Sequence, residues 1–235
     1  LFELANVHTA EEFGCDVPED AYEQMAGAIE DEEDWAEIKG KDWFTAAQAT
    51  AEEQDFFHWE LEFPEVFFDH DGEKLAGAGF DAVVANPPYG MLQPEDTPES
   101  QLEYFSTEFD ATEFKIDLYV LFTEKIVALN REEGGYGVIL PNTFISNTYT
   151  SKLRDLLLHG TNIRSIAVSD DYLFDDAVVH NAILIGGIDS DSTNKEVEVI
   201  WKVDKEFLLN EYPVSNATTR TIPINHSSLV KRETA

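Results

Sequence analysis

The tetrapeptide Asn86-Pro87-Pro88-Tyr89 carries groups that could bind a flat ring bearing an amino group. The Asn86 side chain offers an amide oxygen as an acceptor, and the backbone carbonyl of Pro87 is a second acceptor close by. Two acceptors that converge on one point suit the two protons of an NH₂ group. The aromatic ring of Tyr89 could stack on a planar heterocycle, a contact that contributes about 1–3 kcal/mol per base.

These groups fit the methylation of an exocyclic amino nitrogen such as N6 of adenine. The lone pair of that nitrogen is delocalised into the ring, and hydrogen bonds from its protons to Asn86 and to the Pro87 carbonyl would return electron density to it. Because a base inside a duplex cannot present this nitrogen, such an enzyme must flip the nucleotide into a pocket. The same chemistry would serve cytosine N4, adenine in RNA or a glutamine side chain, so these alternatives stay open.

The position of the tetrapeptide in the chain also favours a site. Residues Phe80 to Ala85 form a short apolar run that favours a β-strand, and the prolines end it because they donate no backbone hydrogen bond. Ligands of open α/β sheets gather at the carboxyl ends of the strands. A turn that merely ends the strand is the alternative.

The residues after the tetrapeptide alternate between helical and strand patterns. A helix is predicted within residues 114–135 and another from Thr150 to His159, and four further strands are predicted at 136–141, 163–170, 178–187 and 197–203. The alternation predicts an α/β fold with a mostly parallel sheet. Because no helix separates the later strands, an antiparallel strand pair is expected at one end of the sheet.

Three regions are predicted along the chain. Residues 1–55 form an acidic helical segment, residues 56–204 contain the sheet, and residues 205–235 are a polar tail or the start of a further domain. Pro64 interrupts any helix through the aromatic stretch at 56–69, and the proline-rich stretch at 91–104 is typical of a mobile loop.

The charge of the chain is strongly negative. It has 15 basic and 48 acidic residues, a net charge of −33, and residues 1–100 hold 27 acidic but three basic residues. Acidic residues spread over all segments are typical of a halophilic protein in a salt-rich cytoplasm, whereas a specific acidic function would concentrate them. This composition opposes DNA binding unless a basic footprint is local or lies in another segment.

The remaining composition fits a cytoplasmic protein. Cys15 is the single cysteine and has no disulfide partner, and the histidines lack metal-ligand spacing, so no metal site is predicted. No apolar run approaches the length of a membrane span, and no signal pattern is present.

Several segments together resemble a known family, the amino-group DNA methyltransferases of the adenine-N6 branch, which carry the motif (N/D/S)PP(Y/F/W). The matching segments are FHWELEFPEVF, GFDAVVANPPYG, KIDLYVLFTEKIVALN, GGYGVILPNTFISN and YLFDDAVVHNAILIGG. Their order resembles the gamma arrangement found in restriction-modification methylases. The resemblance covers about residues 56 to 190 and implies part of a Rossmann-like methyltransferase sheet, DNA as the substrate and S-adenosylmethionine as the cofactor.

The resemblance also implies roles for individual residues. Asn86, Pro87 and Tyr89 would carry the adenine site, and Phe174 would pack on the flipped base from the loop between two late strands. Phe122 or Tyr119 would border the cofactor pocket. Phe174 could equally be a core residue, and a residue like Phe122 on the apolar face of a helix is more often a core residue.

The chain departs from the family at the cofactor elements. The family holds S-adenosylmethionine with a Gly-rich loop after its first strand and an acidic residue after its second, and neither precedes Asn86 here. We therefore expect Leu1 to lie inside a domain, with a missing N-terminal cofactor-binding segment or a specificity subunit as partner. The alternative function is a catalytically silent remnant or subunit that binds DNA or a partner protein without cofactor.

Overall fold

The computed structural model describes residues 1–169, 179–188, 196–203 and 218–223. The chain divides into two compact units, one of residues 1–75 with 97–104 and one of residues 76–96 with 105–235. The predicted boundaries of the three regions stay a prediction. No helix within the described residues is long and apolar enough to cross a membrane.

The first unit is helical. Its helices are α1 (Phe2–Glu12), α2 (Ala21–Ala28), α3 (Glu32–Lys39), α4 (Asp42–Glu53), α5 (Trp59–Glu62) and α6 (Pro64–Phe67). The helix expected from about Asp20 to Glu37 is two helices, because the Asp31 carboxylate accepts hydrogen bonds from the backbone N–H groups of Glu33 and Asp34 and starts α3. The core of this unit consists of Val7, Ala10, Met25, Ala28, Ile38, Phe44 and Ala47.

The second unit contains a six-stranded sheet. Its strands are β1 (Phe80–Ala85), β2 (Asn130–Pro141), β3 (Asn162–Ser169), β4 (Asn181–Gly187), β5 (Glu196–Val203) and β6 (Thr218–Pro223), in the order β1-β2-β4-β3-β5-β6. The later helices of the chain are α7 (Glu99–Glu108), α8 (Leu118–Leu129) and α9 (Ser151–Gly160).

The strand directions confirm the predicted fold class. The pairs β1–β2 and β3–β5 are parallel, whereas β2–β4, β3–β4 and β5–β6 are antiparallel. It follows that β1, β2, β3 and β5 run in one direction and β4 and β6 in the other. The expected antiparallel pair is β3–β4, and it lies inside the sheet because β5 and β6 extend the sheet beyond β3.

One face of the sheet forms the main core with α8 and α9. Tyr119, Val120 and Ile126 of α8 and Leu153, Leu157 and Leu158 of α9 pack with Val138, Leu140, Leu184, Ile166 and Val168 of the strands. On the opposite face at the β1 side, Val84 is 84% exposed and Ile185 is 44% exposed.

Three local predictions differ from the structure. The proline-rich stretch at 91–104 contains the start of α7, because Pro98 accepts the first backbone bonds of that helix from Gln101 and Leu102. The helix α8 ends at Leu129 rather than at the glycines, and β2 begins at Asn130 because Asn130 already pairs with Phe80. Within the region predicted as a polar tail, β6 pairs with β5.

Candidate functional site

The tetrapeptide lies at the carboxyl end of β1, as predicted. The last residue pair of the β1–β2 ladder is Ala85 with Val138, so the chain leaves the sheet at Asn86. Asn86 is exposed, whereas Pro87 is buried. Among the described residues, no group makes a hydrogen bond to the Asn86 side chain, and no backbone N–H donates to the Pro87 carbonyl. Neither acceptor is therefore engaged by another group of the protein that the structure describes.

Tyr89 is held by its hydroxyl group. The Tyr89 hydroxyl donates to the carbonyl of Ile139 at 3.1 Å and accepts a hydrogen bond from Nδ2 of Asn181 at 2.9 Å. Because β1 ends opposite Val138, the next part of the β2 edge is open to the side chain. The Tyr89 ring meets the ring of Tyr119 edge-on, with centroids 6.4 Å apart and an angle of 85°. These contacts fix both the position and the tilt of the Tyr89 ring.

The electrostatic surroundings keep Tyr89 neutral. Burial raises the pKa of the Tyr89 hydroxyl, while the hydrogen bond from Asn181 acts in the opposite direction. A neutral hydroxyl can donate to a carbonyl oxygen, as it does to Ile139, whereas a phenolate could not.

The segment after Tyr89 is tied to the start of α8. The N–H of Leu118 donates to the carbonyl of Gly90 at 2.8 Å, and the N–H of Leu92 donates to the carbonyl of Ile116 at 2.9 Å. The Asp117 carboxylate accepts from the N–H of Gly90 at 3.3 Å. Burial raises the pKa of Asp117, and the backbone hydrogen bonds lower it in part. The tetrapeptide is thus held on both sides, by β1 before it and by α8 after it.

The remaining predicted site residues lie in different environments. Tyr119 is 2% exposed and packs in the core, in contact with Tyr89. Phe122, one turn further along α8, is 46% exposed. Phe174 lies outside the described residues, in the segment between β3 and β4. The structure therefore brings Asn86, Pro87, Tyr89 and Tyr119 together, and the roles of all these residues stay predictions.

Of the two residues expected to border S-adenosylmethionine, Phe122 has the chemistry and the exposure for one part of that role. A nucleoside cofactor needs an apolar wall for its rings and polar groups for its ribose and its charged amino-acid part. Phe122 offers an exposed aromatic ring, whereas the burial of Tyr119 closes it to a ligand. Phe122 therefore fits the wall of such a pocket and not its polar part.

Sequence reasoning missed two polar residues that contact this site. Asp117 stands before an apolar helix, a position typical of a helix cap. Asn181 is a single polar residue at the start of the apolar run Ala182 to Ile185. A polar side chain in a buried strand requires a hydrogen-bond partner. A polar residue at the start of an apolar run is therefore the sequence pattern that indicates such a contact.

Comparison with known proteins places the chain in a family. The family model described as Eco57I restriction-modification methylase matches residues 13–174. A candidate type II restriction enzyme and methyltransferase of Methanocaldococcus jannaschii is 29% identical over 129 residues, which are 55% of this chain and 10% of that protein. The type II restriction enzyme and methyltransferase RM.Eco57I of Escherichia coli is 25% identical over 156 residues, 63% of this chain and 16% of that protein.

Among solved structures, the type IIG restriction endonuclease BpuSI matches with a TM-score of 0.46 and 18% identity, over 61% of this chain and 19% of that one. The chain spans less than a fifth of the length of the curated relatives that it matches. The family match covers most of the chain and includes Asn86 to Tyr89. The chain therefore belongs to the Eco57I restriction-modification methylase family.

Proposed function

We propose that this chain is the target-base part of a DNA adenine-N6 methyltransferase in a restriction-modification or phage-defence system. The observation that carries the proposal is the pair of free acceptors, the Asn86 amide oxygen and the Pro87 carbonyl, beside an aromatic ring that is held by hydrogen bonds. This arrangement fits a planar base with an amino group. Family membership supports a methyl-transfer reaction on DNA.

In this mechanism the two acceptors bind the two protons of the adenine amino group. As N6 forms a bond to the incoming methyl group it gains positive charge, and the two oxygen acceptors stabilise that charge. The bond between sulfur and the methyl group would break with its electron pair left on sulfur, and the nitrogen then releases one proton to solvent water. S-adenosylmethionine supplies the methyl group when it is bound.

Tyr89 orients the base while the acceptors act on its edge. We infer that the flipped adenine stacks on the Tyr89 ring, so that its amino group meets Asn86 and Pro87. The hydroxyl contacts with Ile139 and Asn181 leave the ring little freedom to turn. We also propose that Phe174 packs on the other side of the base and that Phe122, with Tyr119 behind it, borders the cofactor.

The proposal names DNA and S-adenosylmethionine as ligands and requires further protein for the polar part of the cofactor pocket. That protein is a further segment of the same polypeptide or a specificity subunit. We propose a cytoplasmic, halophilic enzyme, because a net charge of −33 opposes DNA binding at low salt. At high salt the repulsion between like charges is screened.

The experiment measures methyl transfer by the full-length protein. DNA is incubated with labelled S-adenosylmethionine and digested to nucleosides, which separates N6-methyladenine from N4-methylcytosine. Asn86→Ala is expected to abolish transfer without lowering Tm, because the Asn86 side chain is exposed. Asn162→Ala is the control, since Asn162 begins β3 at the opposite end of the sheet and should keep full activity.

Each outcome has a clear meaning. Methylation of adenine that depends on Asn86 supports the proposal, and methylation of cytosine would replace adenine by another target. Activity retained in Asn86→Ala would refute the mechanism. If the wild-type protein binds DNA but transfers no methyl group, it is a silent binding subunit.

A further inference from the structure

Asn181 is a buried polar residue that contacts the tetrapeptide from another strand. It is the first residue of β4, it is 0% exposed, and it pairs across the sheet with Pro141 at the carboxyl end of β2. Its Nδ2 donates to the Tyr89 hydroxyl at 2.9 Å. Its Oδ1 is buried and has no hydrogen-bond partner among the described residues.

A buried amide with an unpaired oxygen lowers the stability of the folded state. Buried polar groups are almost always paired, because an unpaired one loses its hydrogen bonds to water and gains none. Leucine has a similar size and would fill this position without an unpaired oxygen. Residues that break a local rule in this way occur at functional sites and at strained sites, so the partner of the amide decides between the two. The contact with Tyr89 indicates what the amide does here.

We propose that Asn181 is a positioning residue, which fixes the ring of Tyr89 so that the target base stacks in the reactive orientation. The inference rests on the proposed function and adds to it. Without Asn181, the Tyr89 hydroxyl keeps one hydrogen bond, to the Ile139 carbonyl, and the ring can swing about that contact. With Asn181, the hydroxyl is held from both β2 and β4.

A second contact holds the start of β4 next to Asn181. Asn181 follows the segment that contains Phe174, and the carbonyl of its neighbour His180 accepts a hydrogen bond from the N–H of Asn142 at 2.8 Å. The start of β4 is therefore fixed to the end of β2 and to Tyr89.

The test variant is Asn181→Leu in the full-length protein. We expect kcat for DNA methylation to fall about 10- to 100-fold, because a small misplacement of a reacting group costs up to about that much. The KM for S-adenosylmethionine should not change, since Asn181 acts on the base. Tm should stay close to that of the wild type, because the variant loses one hydrogen bond and also removes an unpaired oxygen.

Asn130→Leu is the matched control. Asn130 is also buried, its Nδ2 donates to the Ile126 carbonyl at 2.7 Å, and its Oδ1 has no hydrogen-bond partner in the part of the chain that the structure describes. It pairs with Phe80 at the amino end of β1, away from the tetrapeptide. We expect Asn130→Leu to leave kcat unchanged.

Introducing Asn181→Leu into the Tyr89→Phe protein separates a positioning role of Asn181 from a structural one. In Tyr89→Phe the hydroxyl is gone, so adding Asn181→Leu should cause no further loss of kcat. Equal losses in both backgrounds, or full activity of Asn181→Leu, would overturn the inference. So would a fall in Tm that accounts for the lost activity.

Failure of the proposed function gives a different result. If the wild-type protein transfers no methyl group to adenine, the positioning role falls together with the proposed function. The Tm values of the two single variants and of the double variant still report whether Asn181 and Tyr89 interact. A wild-type protein that methylates adenine while Asn181→Leu is fully active overturns this inference alone.

Discussion

Replacing Tyr89 with phenylalanine removes one oxygen atom and keeps the aromatic ring. The oxygen takes part in two hydrogen bonds, one to Ile139 and one from Asn181. Each contributes about 1 kcal/mol net, and leaving the Nδ2 of Asn181 unpaired adds about 1–3 kcal/mol. Because Tyr89 is only partly buried, water can reach part of the site, and we expect a loss of about 2–3 kcal/mol in the free energy of unfolding.

This loss is large enough to measure. Native proteins are stable by about 5–15 kcal/mol, and in a domain of 150–250 residues each kcal/mol lowers Tm by about 2–4 °C. Tyr89→Phe should therefore lower Tm by about 5–10 °C. Differential scanning calorimetry of the full-length protein measures the change.

The double variant tests the reason for the loss. Asn181→Leu removes the amide that Tyr89→Phe leaves unpaired, so the double variant should be about 1–2 kcal/mol more stable than the sum of the two single changes predicts. A Tm for Tyr89→Phe equal to that of the wild type would refute the reasoning. Strictly additive effects would show that the two side chains do not interact.

Two further predictions concern charge. Burial raises the pKa of Asp117, so the folded state binds a proton more readily than the unfolded state does. As the pH rises through this raised pKa, the carboxylate ionises and the free energy of unfolding falls. Asp117→Asn should therefore gain stability relative to the wild type as the pH increases from 3.8 to 7, and a Tm difference that does not change with pH would contradict this. Because the chain carries a net charge of −33, DNA methylation should become faster as KCl is raised from about 0.1 M to about 1 M, where the Debye length falls from about 10 Å to about 3 Å. A rate that falls steeply with salt would instead indicate a local basic footprint.

The fold class and the place of the tetrapeptide could be predicted because both depend on local patterns. A short apolar run before two prolines gives a strand that ends at Asn86, and the spacing of apolar residues from Ile116 to Leu129 gives a helix. The family resemblance to restriction-modification methylases was likewise predicted from short segments and is confirmed by the match over residues 13–174.

The elements that were missed depend on pairing between distant parts of the chain. The six residues of β6 show no strong strand pattern, and they form a strand by pairing with β5. The contact of Asn181 with Tyr89 joins residues 92 positions apart and needs the register that sets Asn181 opposite Pro141. The start of β2 depends on Gly134, where a Cβ atom would lie 2.9 Å from the Phe80 carbonyl oxygen.

In the candidate site, hydrogen bonds hold Tyr89 and Gly90, whereas the Asn86 side chain has no such contact within the described residues. Tyr89 is bound to β2 and β4, and Gly90 is bound to α8, so the surrounding elements fix the backbone after Asn86. Asn86 itself makes no side-chain hydrogen bond within the described residues and faces solvent. An unpaired acceptor gives up no hydrogen bond to the protein when it binds the amino group of a base. Substitutions of the residues that hold Tyr89 and Gly90 should therefore lower the rate of methyl transfer in part. Loss of the Asn86 amide should abolish it.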